Sequence, residues 1–171
     1  MATFVLTVIG DDRPGLVSAV SVPISAHGAS WERSQMSRLA GKFAGIVLVA
    51  VAEERLDALT ADLMALEGQG LRVALERTDE PIERESLRLH LELLGADHPG
   101  IVAEVSASLA ARGVSIEELT TDVRDAPMAG GTLFEAHAVL AAPPATSLES
   151  LGAMLEGLAD ELMVEIRLSE D

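Results

Sequence analysis

The sequence predicts an α+β fold built twice: two ferredoxin-like β-α-β-β-α-β units, each a four-stranded antiparallel sheet with two helices on one face. Three observations carry this. Gly10-Asp11-Asp12-Arg13-Pro14-Gly15-Leu16-Val17 returns 85 positions later as Gly95-Ala96-Asp97-His98-Pro99-Gly100-Ile101-Val102. Ala26-His27-Gly28-Ala29-Ser30-Trp31-Glu32 is answered at the same spacing by Ala111-Arg112-Gly113-Val114-Ser115-Ile116-Glu117. Leucines at 56, 59, 63 and 66 are matched by leucines at 148, 151, 155 and 158, the same helical stripe twice. A duplication of this size means that one small unit has been used two times.

Each element follows in order. Thr3 to Ile9 is β-branched and apolar, a strand, and Leu87 to Leu94 is its counterpart. A turn over Gly10–Arg13 then leads into a helix, where Pro14 suits the first turn because its missing N–H has no intrahelical partner there. Asp12 and Asp97 are placed to cap that end and to complement its positive pole. Leu16, Val17, Val20 and Ile24 form the first apolar stripe; Ile101, Val102, Val105 and Leu109 repeat it. Gly28 and Gly113 sit where a helix C-terminal glycine belongs, and Pro23, with Ser108 as counterpart, is expected to kink or shorten the first helix. Trp31, just beyond, is expected to be buried at a unit interface or to line a pocket.

A strand pair comes next. Ser30 to Leu39 and Gly45 to Ala52 flank a short turn at Ala40-Gly41-Lys42, while Ser115 to Arg124 and Thr132 to Leu140 flank the longer Asp125-to-Gly131 stretch. Matching Phe43 to Phe134 raises the offset to 91, so the second hairpin has six more residues. The leucine-striped helix follows, and each unit closes on an alternating strand: Leu71, Val73 and Leu75, then Leu162, Val164, Ile166 and Leu168. Polar residues 78–85, with Pro81 among them, read as a linker; the expected division is 1–79, a linker 80–85, and 86–171. Edge strands this apolar predict strand-to-strand or sheet-to-helix pairing between units, either in a homodimer or between the two units of one chain.

Composition narrows the function. At 171 residues and 49% hydrophobic, with no cysteine, the chain is a globular protein without disulfide, thiolate metal site or Cys nucleophile. No apolar run reaches the ~18 residues of a membrane span, and the start lacks the basic flank of a signal peptide, so a cytoplasmic protein without membrane contact is expected. The formal net charge is −16; up to Glu80 there are 7 basic and 11 acidic residues (net −4), and beyond it 5 and 17 (net −12). With a single lysine, Lys42, and few aromatics, the chain is a poor match to nucleic-acid phosphates, and no direct nucleic-acid binding is expected. His27, His90, His98 and His137 lack metal-ligand spacing, and Gly130-Gly131 lies in a hairpin without the lysine of a phosphate loop. No nucleophile elbow or triad pattern is present, so no catalytic residue, metal or cofactor is expected.

The turn after each first strand is the candidate site. A helix N-terminus offers unpaired N–H groups and a favourable dipole for a small carboxylate. Gly15 and Gly100 would let a ligand approach the backbone, Asp12 and Asp97 would hold an amino group, and Arg13 and His98 would add positive charge. An α-amino acid carries both kinds of group. The same residues also serve helix initiation alone, with Asp as cap, Pro as starter and Gly as turn.

Asp-[Arg/His]-Pro-Gly-[Leu/Ile]-Val after a strand, followed by Ala-x-Gly-x-Ser, resembles the ACT domain family, and the match covers both units. A tandem of this length resembles the glycine-cleavage-system transcriptional repressor family. The resemblance implies a regulatory module that binds a small amino acid at interfaces between ACT units through the loop after the first strand. Carried over, the implied ligand residues are Gly10, Asp12, Arg13, Pro14, Gly15 and Ser30, then Gly95, Asp97, His98, Pro99, Gly100 and Ser115. The family often has Asn where this chain has Ser30 and Ser115; a hydroxyl keeps one hydrogen bond but loses the paired contact of the amide. The expected function is a non-catalytic regulator that modulates a protein partner, a transcription factor or metabolic enzyme. The alternative is an interaction adaptor that uses the same surfaces and needs no ligand.

Overall fold

Alternation along the first strand sets one face against the core. β1 (Ala2–Asp11) buries Ala2, Phe4, Leu6 and Val8 and turns Thr3, Val5, Thr7 and Ile9 the other way. α1 (Leu16–Ala26) lays Leu16, Val20 and Ile24 on that buried face. Val17, expected with them, is 47% exposed, because one step round the helix from Leu16 carries it off the stripe. β2 (Ser30–Leu39) and β3 (Lys42–Val51) form a hairpin closed by Ala40 (φ 49) and Gly41 (φ 77), both left-handed. Such two-residue turns match the twist of the strands they join. α2 (Leu56–Met64) lies between single 3₁₀ turns at Glu53–Arg55 and Ala65–Gln69, and Leu59, Leu63 and Leu66 complete the core. β4 (Leu71–Arg77) gives a sheet ordered β2-β3-β1-β4, antiparallel throughout.

The second unit repeats this with β5 (Leu87–Ala96), α3 (Ile101–Ala110), β6 (Ser115–Asp125), β7 (Thr132–Ala142), α4 (Leu148–Leu162) and β8 (Val164–Glu170), and its sheet runs β6-β7-β5-β8. Ile101, Val105 and Leu109 of α3 pack with Leu151, Leu155 and Leu158 of α4. Val102 stands out at 43% exposed, as Val17 does. Leu162, expected to open the last strand, instead ends α4 and is buried there; Met163, at φ 54, makes the break. α4 is capped at its start by Ser147, whose Oγ accepts the Ser150 N–H at 3.2 Å.

The structure, a computed structural model, describes residues 1–79, 84–128 and 130–171. They fall into two compact units, Met1–Ile82 and Glu83–Asp171, each with its own core. Most of the expected linker, 80–83 of 80–85, lies outside the described residues. No helix among the described residues is long and apolar enough to cross a membrane.

Three local features shape the passage from each first helix into the second strand. Gly28 and Gly113 end their helices in the left-handed region (φ 67 and 71). Ala29 N–H returns to Ile24 O at 3.0 Å and Val114 N–H to Leu109 O at 3.1 Å, closing the same helix-ending loop. Pro23 does not shorten α1, which has 11 residues against 10 in α3. The edge strands β2 and β6 also carry a bulge at the same repeat position, between Trp31 and Arg33 and between Ile116 and Glu118. Trp31 is half-buried against the core of its own unit.

Candidate functional site

The turns begin later than their sequence suggests. Gly10 still belongs to β1, paired with Phe43 on one side and Leu71 on the other, and Gly95 pairs with Phe134 and Val164. A Cβ on Gly10 would stand 2.7 Å from Gly70 O, and one on Gly95 would stand 2.5 Å from Val164 Cγ1. Both glycines are therefore accounted for by the close approach of the last strand.

Gly15 and Gly100 are different. Their φ values of 89 and 97 lie in the left-handed region, and each is the N-cap of its helix. No heavy atom stands within 4 Å of the place a Cβ would occupy at either position, so the space above them is open. This backbone conformation favours glycine.

The expected capping does not occur. Asp12 and Asp97 stand three residues before the cap, and neither helix start has a side-chain cap. Pro14 and Pro99 precede the cap instead of occupying the first helical turn. The Asp12 carboxylate accepts from Arg38 Nη1 at 3.4 Å, and its N–H donates to Gly41 O at 2.9 Å; Asp97 N–H donates likewise to Thr132 O at 2.9 Å. Each aspartate thus ties the turn to the neighbouring hairpin. The first-turn N–H groups of α1 and α3 are left without a side-chain acceptor, at the positive end of the helix.

Arg13 and His98 do one job with two chemistries. Arg13 Nη2 donates to Gln69 O at 2.8 Å, where the 3₁₀ turn after α2 ends. His98 Nε2 lies 2.9 Å from Leu162 O, the last residue of α4, and its Nδ1 lies 3.1 Å from Pro99 O. Both residues fasten the turn to the exit of the second helix. Carbonyls only accept, so both contacts of His98 are satisfied together only by the imidazolium. These two carbonyls, with the Asp97 charge adding, raise the His98 pKa above its usual 6.5. The sequence showed Arg13 and His98 as a difference between the copies; their shared donor chemistry just before proline was the signal for the fastening.

Ser30 and Ser115 lie far from these turns within their own units. Ser30 is in the row of Ala50 and Thr3, and Ser115 in that of Ala141 and Arg88, at the start of β1 and β5. The turns follow the far ends of those strands, eight residues further at Asp11 and Ala96, roughly 26 Å away at 3.3 Å per residue. Ser30 also faces away from the helices, on the side of Thr3 and Ala50. The structure therefore gathers Asp12, Arg13, Pro14 and Gly15, and again Asp97, His98, Pro99 and Gly100, and brings neither serine to the turn of its own unit.

One groove adds to the second unit. α3 leaves part of β6 uncovered, and Leu93, Ile101, Val105, Leu119 and Phe134 line an apolar trough there. Val102, Leu119 and Val123 stay 43%, 46% and 49% exposed beside it.

Residues 2–75 match the family model of the ACT domain. A phosphoserine phosphatase of Mycobacterium tuberculosis is 32% identical over 130 residues, covering 73% of this chain and 32% of that protein. The chain thus spans about a third of that relative's length. A crystal structure of an unknown protein from Galdieria sulphuraria is 32% identical, with TM-score 0.88 over 99% of this chain and 98% of the other. A candidate glycine cleavage system transcriptional repressor shares the fold at 17% identity, with TM-score 0.77 over the same shares of both chains.

Proposed function

Since the first unit of this chain is an ACT domain and the second repeats its fold, we propose that the protein is a non-catalytic regulator that senses a small amino acid. One observation carries the reading: both copies of the turn start a helix with no side-chain cap, under open space, although an aspartate stands three residues away. A ligand carboxylate fits the first-turn N–H groups, and Asp12 or Asp97 fits its amino group. Ser30 or Ser115 can share such a ligand only if another unit supplies it. Binding would favour one arrangement of the protein and so change the surface shown to a partner, a transcription factor or a metabolic enzyme. The likeness to part of a phosphoserine phosphatase supports serine as a first ligand to try.

Thermal unfolding of the full chain against the twenty amino acids tests this. A true ligand stabilises by about 2.7 kcal/mol at a hundredfold excess over its Kd. Gly15→Asn and Gly100→Asn should remove the effect with the fold intact, because asparagine tolerates the left-handed region and its side chain fills the open space. A flat panel, confirmed by calorimetry with glycine and serine, overturns the sensor. The second reading, a ligand-independent adaptor, would then stand, favoured by the exposed apolar Val102, Leu119 and Val123.

A further inference from the structure

β3 reads Ala44-Gly45-Ile46-Val47-Leu48-Val49-Ala50-Val51, apolar without interruption. An antiparallel sheet with one face in water alternates apolar and polar residues; an unbroken apolar strand is the pattern of one buried on both faces. Only one face of β3 is covered by helices. On the other, Ile46 is 49% exposed, beside Ala44, Leu48 and Ala50.

The pairing registers lay this outer face out in rows across β2, β3, β1 and β4. One row is Arg33, Leu48, Val5 and Glu76; the next is Gln35, Ile46, Thr7 and Ala74; a third is Ser37, Ala44, Ile9 and Arg72. The first row holds opposite charges at its two ends and apolar side chains between them. Three strand spacings put those ends roughly 14 Å apart. Both charged residues are exposed, and neither has an ion pair among the described residues.

We propose that this face is an interface between two copies of the chain, stacked sheet on sheet about a twofold axis that runs along the strands. Rotation about an axis midway between β3 and β1 exchanges the two ends of every row. Arg33 then meets Glu76 of the second copy and Glu76 meets its Arg33, while Leu48 lies over Val5 and Ala44 over Ile9. Self-complementarity of this kind is what an isologous interface requires. Sheets stacked about 10 Å apart and about 30° from parallel keep such end residues within reach of long side chains. Charge favours the same choice, since the half of the chain up to Glu80 carries only −4 of the net −16 and repels its own copy least. The corresponding face of the second unit holds His90, Glu92, Glu135, His137, Glu165 and Arg167 and does not fit this stacking.

Sedimentation of the full chain over a range of concentrations, without any amino acid, tests the interface apart from the sensor reading. Wild type should be a dimer. Ile46→Glu should weaken it at least about tenfold in Kd by burying an unpaired charge, with the thermal midpoint of the isolated species unchanged. Its positional counterpart, His137→Glu, should leave the dimer as it was. Arg33→Glu and Glu76→Arg should each weaken association, and the double exchange should restore it. A wild-type chain that is monomeric throughout overturns the proposal and leaves the face to another protein. A dimer indifferent to Ile46→Glu, or a double exchange no better than either single, overturns it as well.

Discussion

In the first unit the positions of β1 and β3 that point away from the helices carry Val5, Thr7, Ile9, Ala44, Ile46 and Leu48. The same register positions of the second unit carry His90, Glu92, Leu94, Glu135, His137 and Val139. His137 lies 3.8 Å from Glu92 and 3.6 Å from Glu135, and Arg124 lies 3.8 Å from Glu135. His90 hydrogen-bonds Asp171 at 2.8 Å and holds that carboxyl below the usual range. Exposed pairs of this kind each contribute only about 0–1 kcal/mol, so their effect is to keep the face wet more than to hold it together. The buried faces, by contrast, match almost residue for residue. Duplication preserves what a core requires and releases what faces solvent, and here the two copies have taken opposite outer surfaces.

If the cores are equivalent, damage to them should be too. Leu59→Ala and Leu151→Ala each empty a fully buried position. Each should cost about 2–5 kcal/mol by urea unfolding. A loss in one unit with none in the other would break the equivalence.

A smaller effect concerns the two strand glycines. Gly10→Ala drives a Cβ against the backbone oxygen of Gly70, and Gly95→Ala drives one against Val164, whose Cβ and backbone Cα would stand 2.8 and 2.9 Å away. Overpacking costs about 1–3 kcal/mol, and with main-chain atoms in the way at both positions the two variants should lose similar stability in a thermal melt. A loss at one glycine and none at the other would show that one of the two last strands gives way.

The smallest expected difference lies in the fastening of the turns. The Arg13 guanidinium donates to Gln69 O, whereas His98 donates to both of its carbonyls only when protonated. Its folded pKa is raised above 6.5, so its contribution is full below 6.5 and is lost as pH rises through the raised value. The second unit should lose stability across that window, and His98→Arg should remove this part of the slope. An identical pH profile in wild type and His98→Arg would mean that the contact does not fasten the turn.

Much of this was legible in the chain itself, because the rules concerned are local. Helical stripes, strand alternation and the two helix-ending glycines each depend on residues a few positions apart, and the repeat allowed every reading to be made twice. The helix caps lie beyond the reach of such local rules. Asp-x-Pro-Gly admits either an aspartate or a left-handed glycine as the helix start, and the hairpin partners of Asp12 and Asp97 lie some thirty residues away, at Gly41 and Thr132. Gly10 and Gly95 carry a turn residue's chemistry but belong to strands, because the last strand presses on them.

Periodicity and backbone preference act over short range, and they are enough to give the duplicated fold, the core stripes and the place of the Asp-x-Pro-Gly turns. Which glycine opens each helix, what Arg13 and His98 hold, and the place of Ser30 and Ser115 at the other end of their sheets emerge only on folding. Those facts are set by strand register, which joins residues far apart in the chain, and no local preference encodes it.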